Sequence, residues 1–112
     1  MPPKFKKIKK FVLGKSYDLS FAFVTPVKMR QAMKYKKLTK AQLHKTPTSN
    51  VLSFPLSKTS GEILICKSAA KPYTPEFLFI HGLLHLKGYK HGGIMEHEEA
   101  KLVKKFGGLG SK

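Results

Sequence analysis

The sequence predicts a single small domain in which helices and strands are mixed, in the order helix, strand, helix, strand, strand, helix, helix. Its 112 residues are enough for one hydrophobic core and leave little chain for a second. Hydrophobic residues make up 41% of the chain and include 8 Phe and 4 Tyr, a composition that disordered chains lack. We therefore expect one folded domain, whose elements follow from local patterns.

Residues 1–14 predict a basic amphipathic arm or short helix. Apolar residues are interspersed with lysines there, and Gly14 provides a stop. The lysines would either contact phosphate groups or simply solvate one face of the helix. The apolar residues are Phe5, Ile8, Phe11 and Val12.

A strand and a second helix are predicted next. In the stretch YDLSFAFVT, which begins at Tyr17, large apolar residues alternate with mostly small ones, as in a strand. Thr25 and Pro26 then predict the N-cap and first turn of a helix that ends near Lys37. The residues expected to face inward and fill the core are Met29, Ala32 and Met33.

The polar stretch LTKAQLHKTPTSN, residues 38–50, predicts a loop, because it lacks periodicity and contains turn-forming residues. Two apolar strands follow, VLSFPL from Val51 and EILICK from Glu62, and the short turn between them allows the two to pair as a hairpin. Cys66 in the second strand is interpreted as a small buried apolar residue, because no partner that would activate its thiol is evident.

Two helices close the chain. Thr74 and Pro75 repeat the capping pattern, so a helix should begin at Pro75 and end at Gly88. The stretch IMEHEEAKLVKKF, residues 94–106, predicts the last helix, whose acidic start and basic end complement the helix dipole.

The charge of the chain predicts a polyanionic partner. There are 22 basic residues and 6 acidic ones, which gives a formal net charge of +16 and a pI near 10.1. Nucleic acid is the commonest polyanion that such a protein meets, and an anionic membrane is the rival. Because all the basic residues except Arg30 are lysines, a merely Lys-rich surface is a further alternative.

Cysteine content and hydropathy bear on the compartment. The single cysteine excludes an intrachain disulfide and is typical of a reducing environment. The N-terminal residues have no apolar stretch of signal-peptide length, and no run elsewhere approaches transmembrane length. We expect a cytoplasmic protein without a membrane partner.

Three of the five histidines predict a metal site. His81 and His85 are four residues apart, so a helix places them on one face within reach of a single ion. A turn at Gly88 would then allow His91 to return as a third ligand. Three imidazoles plus water are typical of a catalytic zinc site, whereas hydrogen-bonded core histidines are the structural alternative. His97 and His44 stand alone in polar sequence, which favours a surface position for both.

The same histidine spacing occurs in metzincin proteases, where a glutamate after the first histidine is the general base. Here that position is Gly82. Without this carboxylate a protease mechanism lacks its general base, so the sequence favours other reactions of a zinc-bound water over peptide hydrolysis.

The residues of two blocks resemble the YbeY family of bacterial rRNA maturation factors, which are zinc-dependent endoribonucleases. HGLLHLKGYKH, residues 81–91, resembles the three-histidine signature of the family. TSNVLSFPL, residues 48–56, followed by GEILIC, residues 61–66, resembles its second characteristic block. EHEEAKLV fits the acidic start of the last helix of the family, and the resemblance spans about residues 17–106.

The resemblance implies an α+β domain whose small mixed sheet packs against a metal-binding helix near the C-terminus. Residues 15–112 would then form a single zinc-hydrolase-like domain. One zinc ion per chain would be held by His81, His85 and His91, and its water would cleave single-stranded RNA. The implied role is maturation of the 3′ end of small-subunit rRNA and ribosome quality control, with rRNA, the small ribosomal subunit and its proteins as partners.

The resemblance also implies RNA-binding residues, some at positions where the chain departs from the family. The strand NVLSFP would border the cleft and present Asn50 and Ser53. Where the family carries an arginine before this strand, the chain has Leu43, and Arg30, His44 or Lys45 would have to substitute for it. Lys90 stands where the family has an aspartate, and Glu62 replaces a second aspartate.

Two other functions stay open from the sequence. A non-catalytic assembly factor would use zinc to stabilise the last two helices and a basic face to bind rRNA or a ribosomal protein. A zinc hydrolase with another substrate would prefer peptides or small esters to RNA. No general base is evident in the sequence, so attack by the 2′-OH of the RNA itself is an alternative to attack by water.

Overall fold

The computed structural model describes residues 2–36, 44–45, 51–69, 73–90 and 92–106. Within them the predicted order of helices and strands is confirmed, with one additional short strand and a 3₁₀ turn at Lys67–Ala69. The helices are α1 (Pro3–Leu13), α2 (Pro26–Lys36), α3 (Pro75–Lys87) and α4 (Gly93–Lys105), and the strands are β1 (Asp18–Phe23), β2 (His44–Lys45), β3 (Val51–Ser57) and β4 (Ser60–Ile65).

The strands form one mixed sheet in the order β1-β4-β3-β2, which confirms the predicted α+β class. β3 and β4 pair as the expected antiparallel hairpin, and β1 lies parallel to β4. β2 pairs antiparallel with β3, His44 opposite Ser53 and Lys45 opposite Leu52. The prediction of a loop throughout 38–50 is therefore wrong at these two residues, because a two-residue strand defined by pairing leaves no periodic pattern.

Successive residues of β3 and β4 face opposite sides of the sheet, and each side has its own core. The larger core lies between the sheet and the helices α1, α3 and α4. The smaller core lies on the opposite side of the sheet and contains Met29 of α2 together with Cys66. The burial predicted for Met29 and Cys66 is confirmed. The domain is thus layered, and among the helices that the structure describes only α2 packs on this second side of the sheet.

Helix α1 is part of the larger core. Phe5, Ile8 and Val12 are buried, since a spacing of three and four residues keeps them on one face of the helix. The ring of Phe5 stacks on Phe79 of α3 at 4.3 Å between centroids. Phe11, part of the same predicted apolar pattern, falls about a quarter of a turn from the middle of this face and is 57% exposed.

Both predicted threonine caps are present. The N–H of Lys28 donates to Thr25 Oγ1 at 3.2 Å at the start of α2. The N–H of Phe77 donates to Thr74 Oγ1 at 3.1 Å at the start of α3. Each threonine satisfies one of the backbone donors that a helix N-terminus leaves without an intrahelical partner.

Gly82 allows α3 to lie close to the sheet. A Cβ atom at this position would be 3.1 Å from Cδ1 of Ile63 in β4, closer than ordinary van der Waals contact. Residue 82 therefore faces the sheet, and a larger side chain there would push α3 away from β4. Of the helices that the structure describes, none is long and apolar enough to cross a membrane.

Candidate metal and hydrolytic site

His81 and His85 lie one turn apart on α3, as the sequence predicts, and both are buried, with 9% and 4% of their surface exposed. Gly82 marks the side of the helix that faces β4, and Phe79 marks the flank that contacts α1. At about 100° per residue, the two histidines lie on the flank opposite Phe79. Phe5 of α1 and Phe79 both contact Phe21 of β1, so the Phe79 flank is turned toward β1. Because β1 and β3 lie on either side of β4, the histidine flank is turned toward β3.

The ring of His81 is oriented by a carboxylate from the last helix. Its Nδ1 atom forms a short hydrogen bond with Oε2 of Glu99 in α4. Glu99 is only 7% exposed, so this carboxylate is held in a low-dielectric position. A carboxylate accepts and does not donate, so Nδ1 of His81 is the donor, and a neutral ring then keeps its lone pair on Nε2.

The ring of His85 is oriented by the backbone. Its Nδ1 atom lies 3.0 Å from the carbonyl oxygen of Tyr89, which can only accept. This carbonyl is brought there by the end of α3, where Gly88 has a left-handed conformation with φ of 112°. The N–H of Gly88 donates to His85 O and the N–H of Tyr89 donates to Leu84 O, the bonds of a Schellman motif. The predicted glycine stop thus also fixes the ring of a predicted ligand.

The two remaining ring nitrogens point at each other. Nε2 of His81 and Nε2 of His85 are 3.2 Å apart. With both Nδ1 atoms donating elsewhere, two neutral rings would present two lone pairs at this short distance, an arrangement that favours a cation between them. Two nitrogens bound to one zinc ion at ~2.0–2.1 Å in tetrahedral geometry are about 3.3 Å apart. The separation of these two nitrogens therefore fits two ligands of one zinc ion.

The third predicted ligand, His91, lies outside the described residues. Within the described ranges no group of three histidine, cysteine or acidic side chains comes together around one point. The described part of the site is therefore a pair of imidazoles with a hydrogen-bond acceptor behind each.

Ser53, predicted to border the site, lies on the sheet beneath the histidine flank. It is opposite Ile63 in the hairpin and faces the same side of the sheet as Val51, toward α3. The side chain is 1% exposed, and among the described residues its Oγ atom has no hydrogen-bond partner. A buried hydroxyl in this state is available to a ligand or a water molecule.

The other residues predicted to bind RNA are placed differently. Lys90 is exposed directly after the turn that orients His85. Arg30 is exposed on α2, which lies on the opposite side of the sheet from the histidines. For His44 and Lys45 the structure describes the backbone alone, at the edge strand β2, and Asn50 lies outside the described residues. His97 is exposed on α4, as predicted.

Glu99 is the residue that sequence reasoning missed. From the sequence, the acidic residues of α4 complement the helix dipole and fit the acidic start of the last helix of the family, and the exposed Glu96 agrees with the first interpretation. Glu99 differs because it shares the buried face of α4 with Met95 and Leu102, at a spacing of four and three residues. A carboxylate within an apolar stripe is the signal that could have identified it.

Comparisons with known proteins agree on one family. The family model described as "Endoribonuclease YbeY" matches residues 4–107. A curated protein named endoribonuclease YbeY from Sulfurimonas denitrificans is 35% identical over an alignment of 88 residues, which covers 63% of this chain and 63% of that protein. One of the same name from Nautilia profundicola is 37% identical over 87 residues, 62% of this chain and 63% of that protein.

A third protein of that name, from Rubrobacter xylanophilus, is 39% identical over 66 residues, 55% of this chain and 48% of that protein. The chain therefore spans less than two thirds of the length of these curated relatives. No solved structure matches it.

Proposed function

This chain belongs to the YbeY family, and on that premise we propose that its histidine pair is part of the hydrolytic site of an endoribonuclease that cleaves single-stranded RNA. The observation that carries the proposal is the pair of Nε2 atoms 3.2 Å apart, with an acceptor behind each ring. In the cell the proposed substrate is the 3′ end of small-subunit rRNA, in the cytoplasm, with the small ribosomal subunit and its proteins as partners. Ribosome quality control belongs to the same proposal.

The proposed cofactor is one zinc ion per chain, held by His81, His85 and His91. When bound, zinc would supply a Lewis acid for a phosphoryl oxygen and lower the pKa of a water molecule. Neutral imidazoles with protonated Nδ1 atoms are the form that such a site requires, and the bonds to Glu99 and to Tyr89 O favour that form. Both acceptors also prevent the rings from rotating away.

The contribution of the protein to the reaction is mainly positioning. The burial of His81 and His85 excludes bulk water from their rings, and their flank of α3 is turned toward β3. On that flank the buried hydroxyl of Ser53 is a donor for a phosphate oxygen or for a water molecule. The net charge of +16 supports a polyanionic substrate.

The proposal is tested on the purified chain by metal analysis together with RNA cleavage. We expect about one zinc ion per chain and shortening of single-stranded RNA, with double-stranded RNA left intact. We expect both metal content and cleavage to fall in each of the variants His81→Ala, His85→Ala and His91→Ala. The loss should exceed about 100-fold, the upper end of what loss of an outer-shell partner costs. The matched control is His97→Ala, which removes an exposed histidine and should change neither quantity.

Other outcomes would contradict the proposal in distinguishable ways. RNA that binds tightly but keeps its length, in a protein that unfolds when zinc is removed, would favour the non-catalytic assembly factor. Preferential hydrolysis of peptides or esters would favour a zinc hydrolase with another substrate. A metal-free protein that is unaffected by the three histidine changes would refute the metal site itself.

A further inference from the structure

The side of the molecule away from the histidine pair carries an unusual concentration of positive charge. Helix α1 contains five lysines and no acidic residue, and it packs on the flank of α3 opposite His81 and His85. Lys104 and Lys105, at the end of α4, lie next to it. The residues that form this lysine surface are Lys7, Lys10, Phe11, Lys104, Lys105 and Phe106.

An aromatic ring lies at the centre of the lysine surface. Phe11 is 57% exposed and separates two shallow depressions, one lined by Lys7 and Lys10 and the other by Lys104. The ring contacts Phe106 edge to face at 5.8 Å, and Nζ of Lys105 lies 4.6 Å from its centroid. It is therefore an exposed apolar ring with a cation over one face and further lysines beside it.

The lysines of α1 destabilise the helix that contains them. Lysines in its first turns face the positive end of the helix dipole, and no acidic residue there compensates. Lys6 and Lys10, four residues apart, repel each other, as Lys7 and Lys10 do at a spacing of three. A polyanion bound along α1 would relieve this repulsion. The only acidic residue that lines the depressions described above is Glu98, and Lys101 pairs with it at 3.5 Å.

Aromatic rings between lysines are the arrangement by which proteins bind single-stranded nucleic acid, with bases stacked on the ring and phosphates near the cations. We propose that the lysine surface is a second RNA-binding surface, which holds a single-stranded segment of the substrate through Phe11 and the surrounding lysines, on the opposite side of α3 from the hydrolytic site. This inference rests on the proposed function only in taking RNA to be the polyanion.

The test measures binding of the whole chain to a fluorescent 2′-O-methyl RNA of about 20 nucleotides at several salt concentrations. Phe11→Leu keeps an apolar contact with Phe106 but removes the aromatic face, and it should weaken binding about fivefold or more. Phe11→Tyr should restore binding, which separates stacking from a folding defect. Thermal melting shows which variants are folded at the assay temperature.

The charge contribution is tested with two double variants of equal net charge. Lys7→Gln with Lys10→Gln should reduce the slope of log K against log salt by about 1.4, since each phosphate contact to a single strand contributes about 0.7. The control, Lys28→Gln with Lys58→Gln, removes exposed lysines from α2 and from the β3–β4 turn and should leave the slope unchanged.

Equal losses in the two double variants, or unchanged binding by Phe11→Leu, would overturn the inference. So would binding to phosphatidylserine vesicles that depends on Phe11 while RNA binding does not, because the surface would then be a membrane contact. A separate cleavage assay distinguishes the two proposals. If the chain never cuts RNA but binds it through Phe11, the nuclease proposal alone is refuted. If the chain cuts RNA but its binding does not depend on Phe11, this surface alone is refuted.

Discussion

The histidine pair and the lysine surface lie on opposite flanks of α3 and are built in opposite ways. His81 and His85 are buried, and each ring has an acceptor fixed behind it, one from a side chain and one from the backbone. Phe11 and the lysines around it are exposed and depend on few contacts with one another. The pair is suited to one geometry, whereas the lysine surface is suited to many RNA sequences. Substitutions should therefore have large, specific effects at the pair and small, graded effects at the surface.

Apart from the three proposed ligands, the largest effect is expected at Glu99, which supports His81 from α4. Glu99→Gln keeps the size of the side chain but replaces the carboxylate by a neutral amide, and metal affinity should fall about 10- to 100-fold. Isothermal titration of the metal-free chain with zinc measures this. Glu96→Gln, on the exposed face of the same helix, is the matched control and should bind zinc like the parent chain. Equal affinities for both variants would mean that the carboxylate does not support a metal ligand.

A smaller effect is expected where α3 contacts the sheet. Gly82→Ala places a Cβ atom 3.1 Å from Ile63 and should lower the free energy of unfolding by about 1–3 kcal/mol. Urea denaturation measures the loss, and Ile63→Val in the same chain should recover part of it by removing a methyl group. Gly93→Ala, where nothing lies within 4 Å of the added atom, should cost much less. If both glycine variants were equally stable, close packing would not explain Gly82.

The smallest effect concerns Tyr17, which lines a groove beside the lysines of α1. Burial raises the pKa of its hydroxyl above the ordinary value of 10.0. The folded chain therefore keeps this proton to a higher pH than the unfolded chain does, so the free energy of unfolding should decrease as the pH rises above that value. Tyr17→Phe should reduce the slope of stability against pH, and Tyr89→Phe is the control. An unchanged slope would show that Tyr17 is solvated.

The parts of the fold that follow from local chemistry could be predicted from the sequence. The threonine caps, the hairpin and the spacing of His81 and His85 depend on residues a few positions apart. Glu99 was missed because its bond to His81 joins two helices across 18 positions of the chain. Strand β2 was missed because it exists only through pairing with β3. Phe11 is one of the four apolar residues that predict the amphipathic helix, but its position around the helix excludes it from the core.

The site itself stays a prediction, and the structure describes only where part of it lies. His81 and His85 are brought together, and Ser53 lies on the same flank, whereas Arg30 lies on the other side of the sheet. His91 and Asn50, outside the described residues, remain predictions from spacing and resemblance. Gly82 bears on both the chemistry and the packing of the site. Its lack of a carboxylate argues against a protease, and its packing against Ile63 explains why a larger residue would be costly there.

The carbonyl of Tyr89 has a consequence for how this site can vary. An acceptor supplied by the main chain survives every substitution at position 89 that leaves the turn intact, so a side-chain scan would not detect it. The sensitive position is Gly88, whose left-handed conformation directs the carbonyl toward His85. One of the two acceptors behind the histidines is thus set by the path of the backbone, and a conformational change at Gly88 would reorient the ring of His85 without contacting it.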